Sequence, residues 1–415
     1  MLDLIGDRVG SPAPRPARPP WHDPASWWPR LTAATAHLPA PVGVIDLAAL
    51  RYNALDMVVR AGGRPIRIAT KSVRVRAVID AALRVPGYRG LLAFTLPEAL
   101  WLAEEHDDIV VAYPTVDRTA LARLLADEQA ASRITLMVDA VEHLDLIDAV
   151  APPRGRPPVR VAIDVDASWR TAALGHVGVR RSPLHAPDET LRFARAVAER
   201  DGFRLVGLQM YEAQIAGQGD DTGSGDALIR SVQARSRQEL RVRRTAIVDA
   251  VGSLVPLEFV TGGGTGSLEF SGADEALSEI TAGSGLLAGH LFDGYRTFDP
   301  APAAAIAFDV VRRPAPDIAT VLGGGWIASG PALASRQPRA VWPEGLRTMT
   351  REAAGEVQTP LQGPAAAELR AGDRVWFRHA KSGEASERLD RYHLVDGDRV
   401  VGELPTYRGE GKAFL

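Results

Sequence analysis

Ile66-Arg67-Ile68-Ala69-Thr70-Lys71 is a short apolar run that closes on a lysine and passes into a helix-like stretch rich in Val, Ala and Arg. The run reads as a strand. A lysine at the C-terminal end of a barrel strand points its amine into the barrel mouth, where active sites collect. Partly desolvated there, it can lose its proton and condense with an aldehyde. Taken alone, Lys71 reads more simply as a solvated surface lysine. The rest of the chain changes that balance.

Working outward, strand-like segments occur at 66–70, 91–95, 109–113, 134–139, 159–166, 205–211, 257–261 and 279–283. Helix-like stretches such as 117–128, 188–200 and 226–251 separate most of them. Strands alternating with helices give a parallel sheet, and eight of them give a (β/α)8 TIM barrel. An open doubly wound sheet is the alternative. A shorter strand at 42–45 precedes them, with Asp46 placed to cap the following helix. After Gly285 the texture turns to short strands (303–311, 318–322, 374–379, 392–395, 399–404) with turn signals between them. The expected organisation is therefore α/β: a Pro-rich N-terminal segment at 1–40, a barrel at 41–285 and a mostly β domain at 286–415. The Pro-rich segment, densest at 11–20, reads as extended, but Trp21, Trp27 and Trp28 predict that it docks on the body or on a partner subunit.

The formal net charge is -3, so no basic excess marks a nucleic-acid partner. No apolar run is long enough to span a bilayer, and the first residues do not form a secretory signal, which fits a cytoplasmic location. The absence of cysteine excludes disulfides, thiolate catalysis and zinc–thiolate sites.

The next chemical signal is Thr261-Gly262-Gly263-Gly264-Thr265-Gly266-Ser267, directly after the seventh strand. Glycines let backbone N–H groups converge on an anion, and a phosphate site in this position recurs in barrels. Without a Gly-Lys-Ser/Thr ending it is not a nucleotide P-loop. Gly323-Gly324-Gly325, in the β region, reads as a turn or bulge. Two further strand ends are polar: Asp164 to Arg170, and Tyr211-Glu212-Ala213-Gln214. Arg170, Tyr211 and Gln214 could line a pocket, or Arg170 could form a plain salt bridge.

In this order and spacing, the chain resembles fold-type III pyridoxal-phosphate enzymes, the alanine-racemase-like barrels, and within them the D-threonine aldolase and D-serine dehydratase group. The resemblance runs from about Pro41 to the end, through Gly372-Asp373-Arg374-Val375-Trp376-Phe377-Arg378-His379 and Tyr392-His393-Leu394-Val395. It implies pyridoxal 5'-phosphate as cofactor and Lys71 as the Schiff-base lysine. It puts the phosphate on Gly263, Gly264 and Thr265, with Arg170 near the ring oxygen and Tyr211 and Gln214 about the cofactor.

Two departures stand out. Members of this group bind a divalent metal through His-X-Asp or His-X-Cys, whereas this chain reads His379-Ala380-Lys381. Lysine has no lone pair at neutral pH and is a poor ligand. Lys381 could supply the positive charge itself, Glu384 or Glu387 could complete a shifted site with His379, or the metal is absent; the last is the expectation. The second departure is Gly283-Ser284-Gly285-Leu286-Leu287, where relatives often carry a tyrosine; Tyr295 lies eight residues on. The expected function is a lyase on a β-hydroxy D-amino acid, with catalytic Lys71, His379 and Lys381. Alternatives are an amino-acid racemase, with Tyr392 or Tyr407 as second base, a non-catalytic pyridoxal-phosphate-binding protein, and a barrel for another phosphorylated ligand. The resemblance also implies a homodimer.

Overall fold

The computed structural model describes residues 2–5 and 19–415. The chain divides into two compact units. One comprises Met57–Lys71, Pro86–Gly283 and Phe414–Leu415; the other comprises the described residues of Met1–Asp56 together with Ser72–Val85 and Ser284–Ala413.

In chain order the first strands are β1 (Val42–Asp46), β2 (Ile66–Ala69), β3 (Tyr88–Ala93), β4 (Ile109–Val111), β5 (Ile134–Val138) and β6 (Val159–Asp164). A hairpin of β7 (Trp169–Thr171) and β8 (Gly175–Val177) follows, then β9 (Phe203–Met210), β10 (Phe259–Gly262) and β11 (Glu279–Ala282). Eight of these close a barrel in the order β10-β11-β2-β3-β4-β5-β6-β9, every neighbouring pair parallel. They are the eight segments expected from the sequence, and the architecture is a TIM barrel.

The barrel interior is filled by Leu92, Val110, Ala112, Met137, Ala162, Val206 and Phe259. Phe259 stands opposite Gly207 across the β9–β10 pair, and a Cβ on Gly207 would come within 2.4 Å of its ring. The large residue is accommodated because its neighbour has no side chain. Burying such a phenylalanine contributes about 1.5–3 kcal/mol. Arg67, in the middle of β2, is also buried. Its guanidinium meets Glu279 at 2.6 Å and Asp108 at 2.8 Å, which supplies the partners a buried charge requires.

The second unit carries the remaining strands: β12 (Ala304–Ala315), β13 (Ile318–Leu322), β14 (Arg339–Trp342), β15 (Arg347–Thr348), β16 (Gln358–Gln362), β17 (Arg374–Arg378), β18 (Arg391–Asp396) and β19 (Arg399–Pro405). With β1 they form a nine-stranded sheet. β1 runs antiparallel to β12 and parallel to β18. So the strand at 42–46, which the sequence reading groups with the barrel, lies in the other sheet; all five of its residues are buried, a pattern that either sheet would require. Asp46 does cap the next helix, accepting the Ala49 N–H at 2.9 Å.

Residues 6–18, the core of the Pro-rich segment, lie outside the described residues. Pro24–Ala34 is an α-helix rather than extended chain. Pro24 opens it, where a missing N–H costs nothing. Trp27 and Trp28 are buried, and the Trp376 indole donates to Thr32 Oγ1 at 2.8 Å, so this helix packs on the β-rich unit. Among the described residues no helix is long and apolar enough to cross a membrane.

Candidate active site

Every barrel strand points the same way, so the residues that follow their C-terminal ends gather at one mouth. Lys71 sits in the 3-10 turn Thr70–Ser72 straight after β2. Thr70 ties that turn to β3 by donating its hydroxyl to the Leu92 carbonyl at 3.1 Å. The half-buried Lys71 donates from Nζ to Tyr113 Oη at 2.6 Å. Tyr113 lies two residues beyond β4 and rests on the apolar barrel interior.

Arg181 completes this group. Its guanidinium carbon lies 5.4 Å from the Tyr113 ring centroid and 5.3 Å from that of Tyr211, which follows β9. Arg181 makes no ion pair or hydrogen bond among the described residues. Burial alone would raise the Tyr113 phenol, but the Lys71 and Arg181 cations outweigh it and hold the phenol below its ordinary value. Burial pushes Tyr211 up to about 12, with Arg181 opposing.

Beside them, at the end of β6, Asp164 is pushed up to about 7. Burial is the main cause, the Gln209 amide opposes it, and the Asp139 and Asp166 carboxylates add to it. Asp166 behaves oppositely. Burial would raise it, but Arg170 at 2.8 Å and the Ser168 hydroxyl and N–H at 2.7 and 2.9 Å lower it.

These contacts settle where each expected residue goes. Arg170 folds back from β7 onto Asp166, and it is Arg181 that lies over the two tyrosines. Both arginines line an open cleft of about 490 Å³ with Arg180, His176 and Ser182. Tyr211 faces the mouth group through Arg181. Gln214 does not: its amide donates to the Ala167 carbonyl at 2.7 Å and to Ser236 Oγ at 2.9 Å, strapping the loop after β6 to the helix Asp226–Gly252.

The glycine loop follows β10, separated from β2 only by β11. Gly263 has φ +80°, and a Cβ there would strike Ile280 at 2.6 Å and Ser271 at 2.8 Å, so only glycine fits. Its N–H donates to Glu212 Oε2 at 2.9 Å, and the Gly264 N–H reaches Ser267 Oγ at 3.2 Å. Those two donors are therefore engaged inside the protein. The Thr265 carbonyl is fixed by Arg60 at 2.8 Å. A Cβ on Gly264 would lie 2.9 Å from Ala216 and 3.5 Å from the Tyr211 ring, so the loop runs close beneath Tyr211.

The β-rich unit holds the other expected residues. His379 is buried just after β17, and its Nε2 has no hydrogen-bond partner among the described residues. Burial lowers its imidazole, with Glu384 opposing. Glu384 accepts the backbone N–H of Lys381 at 2.7 Å and of Ser382 at 2.6 Å. Glu387 pairs with Arg74. Among the described residues no three His, Asp or Glu side chains come together as metal ligands. One imidazole nitrogen and a carboxylate already bonded to two amides do not fit a tightly held divalent ion. Tyr392 and Tyr407 are buried, Tyr392 Oη lying 3.3 Å from Ser386 Oγ, and Tyr295 packs against Phe292 and Phe298.

Tyr113, Arg181, Asp164 and Glu212 are the site residues that the sequence reading does not assign. Tyr113 could have been found by the rule that selects Lys71, a polar residue at a strand's C-terminal end. Arg181 is displaced from its strand by the β7–β8 hairpin, which hides that signal.

Comparison with known proteins agrees with the fold. D-threonine aldolase from Arthrobacter sp is 26% identical over 295 residues, covering 68% of this chain and 70% of the relative. The solved D-threonine aldolase from Filomicrobium marinum superposes with a TM-score of 0.75 at 20% identity, covering 90% of this chain and 96% of its own. D-threo-3-hydroxyaspartate dehydratase from Delftia sp. HT23 gives a TM-score of 0.70 at 20% identity, covering 89% and 97%. At such identity these two structures establish the shared fold. Residues 45–275 match the alanine racemase N-terminal domain, more than half of the sequence, and the chain belongs to that family.

Proposed function

We propose that this protein is a pyridoxal-phosphate-dependent lyase acting on a β-hydroxy D-amino acid, by retro-aldol cleavage or by dehydration and deamination. The observation that carries the reading is the Lys71 amine at the barrel mouth, 2.6 Å from Tyr113 Oη and in the same strand-end layer as the glycine loop. The names of the D-threonine aldolase and hydroxyaspartate dehydratase relatives support the substrate class.

The residues present fit the cofactor. Lys71 would hold its aldehyde carbon, and the loop from Gly263 through Gly264 and Thr265 to Ser267 would hold its phosphate, the Gly264 N–H giving up Ser267 Oγ while the Gly263 N–H stays on Glu212. Arg181, a cation with no ion pair or hydrogen bond among the described residues, would meet the ring oxygen. Bound there, the cofactor supplies an electron sink for the bonds at the substrate's Cα. Lys71 and Tyr113 hold and move the proton at the mouth. Tyr211 and the loop running against it would flank the bound group, while the apolar barrel interior packed on Tyr113 would keep water out. Asp164, pushed up to about 7 and so only partly ionised near neutral pH, limits the negative charge beside Arg181. A homodimer belongs to this reading, and sedimentation equilibrium tests it: a strictly monomeric mass with full activity removes it.

The test of function is a product assay on the reconstituted protein with D-threonine, D-serine and D-3-hydroxyaspartate, each beside its L isomer. Glycine plus aldehyde identifies an aldolase; a 2-oxo acid plus ammonia identifies a dehydratase. Exchange of the α-proton with inversion and no cleavage would replace the lyase reading with a racemase.

A further inference from the structure

The amine of Lys71 reacts with a carbonyl carbon only as the neutral base, yet a lysine at a barrel mouth starts as an ammonium ion. Near neutral pH, where loss to solvent is unfavourable, a base within hydrogen-bond reach can take that proton. Tyr113 Oη, at 2.6 Å, is so placed. The Tyr113 ring is fixed from several sides. Lys71 Nζ lies 5.3 Å from its centroid and Arg181 Cζ 5.4 Å, and its apolar face packs on the barrel interior. Lys71 after β2, Arg181 after β8, Asp164 at the end of β6 and Tyr211 after β9 are the charged and titratable groups around it. The two cations favour phenolate, while Asp164 disfavours it.

We propose that Tyr113 is the proton partner of Lys71, its phenolate accepting the ammonium proton so that the amine can attack a carbonyl carbon, and returning a proton when the amine is released. The first step converts Lys71 ammonium and Tyr113 phenolate into Lys71 amine and Tyr113 phenol, with no change in total charge. The amine's lone pair then forms the new C–N bond. The carbonyl oxygen leaves as water with the two remaining amine hydrogens, so no oxidant, reductant or further reagent is needed. The direction of the Tyr113 shift, below an ordinary phenol, agrees with this use.

The inference rests on the cofactor reading, and the experiment separates the two. First, the cofactor-free protein is titrated with base while phenolate absorbance is followed. Of its seven tyrosines, one is expected to ionise below the others. That step should vanish in Tyr113→Phe and move to higher pH in Lys71→Met. Second, the rate at which pyridoxal phosphate attaches to Lys71 is measured against pH, trapped with borohydride and mapped to the peptide. Tyr113→Phe keeps the ring on the barrel interior and should slow attachment at least about tenfold near neutral pH. Its rate should rejoin the wild-type rate at high pH, where the amine loses its proton unaided; a merely structural defect would not recover. An unchanged pH–rate profile in Tyr113→Phe, with attachment intact in the wild type, overturns the proton role alone. No attachment to Lys71 in the wild type overturns the cofactor reading and the proposal with it.

Discussion

Glu212 Oε2 accepts the Gly263 N–H at 2.9 Å and meets Arg244 Nη2 at 3.0 Å, while Oε1 accepts the Ser271 hydroxyl at 2.8 Å. Arg244 also pairs with Asp274 at 2.5 Å, and Glu212 and Arg244 are wholly buried. One carboxylate thus fixes the turn of the glycine loop and ties it to the helix Asp226–Gly252. Removing one member of a buried pair leaves the other charge uncompensated, at a cost of about 3–5 kcal/mol.

Glu212→Gln should therefore lower stability by about 3 kcal/mol or more in urea unfolding. It should also weaken pyridoxal-phosphate binding, read by absorbance titration. An unchanged unfolding midpoint would show that the loop does not depend on this anchor.

Arg181 and Arg170 are neighbours in one cleft with different surroundings. Arg170 is half-exposed and paired with Asp166, an arrangement worth about 0–1 kcal/mol. Arg181 lies over two aromatic rings and, among the described residues, has no ion-pair partner. Arg181→Ala should raise the Kd for pyridoxal phosphate by about tenfold or more, the equivalent of one charged hydrogen bond. Arg170→Ala should change it less than about threefold. The reverse order would restore the ring-oxygen role to Arg170.

Asp164 sets a pH dependence. Its native value, raised to about 7, lies above that of an unfolded aspartate, so the fold binds a proton that the unfolded chain has released. Its contribution is complete below the unfolded value, near pH 4, and is lost as pH rises through about 7. Asp164→Asn can still accept the Gln209 amide. It should flatten stability between pH 4 and 7 and stabilise the protein at pH 8, by on the order of 2–4 kcal/mol. Parallel stability profiles for wild type and variant would refute this account of Asp164.

The barrel was legible in the sequence because its strands recur as apolar runs between amphipathic helices. All eight segments, and Lys71 at the end of the first, follow from that rhythm. β1 reads as a barrel strand because a fully buried strand looks alike in either sheet. β14, β15 and β16 carry no legible strand pattern, being two to five residues long, with Pro360 inside β16. Within the site, strand-end position revealed Lys71 and the glycine loop. The partners of those residues depend on pairings distant in sequence. The Lys71–Tyr113 bond spans 42 residues and the Glu212–Gly263 bond 51, separations that no local pattern records.

The donor set about His379 makes a prediction on metals. Its Nε2 is buried, and Glu384 already serves two backbone amides. Incubation with a chelator followed by desalting should leave at least about half of the lyase activity, since no step then depends on a Lewis acid. Complete loss with recovery on adding a divalent ion would show that His379 and Glu384 reorganise to bind one.

The central claim is that Lys71 carries the cofactor, and the chain allows a clean test because it contains only three lysines, Lys71, Lys381 and Lys412. The holoprotein is reduced with borohydride, digested and mapped by mass spectrometry. The account predicts the pyridoxyl group on Lys71 and none in Lys71→Ala. A label on Lys381 or Lys412, or no label in a protein saturated with pyridoxal phosphate, would contradict it.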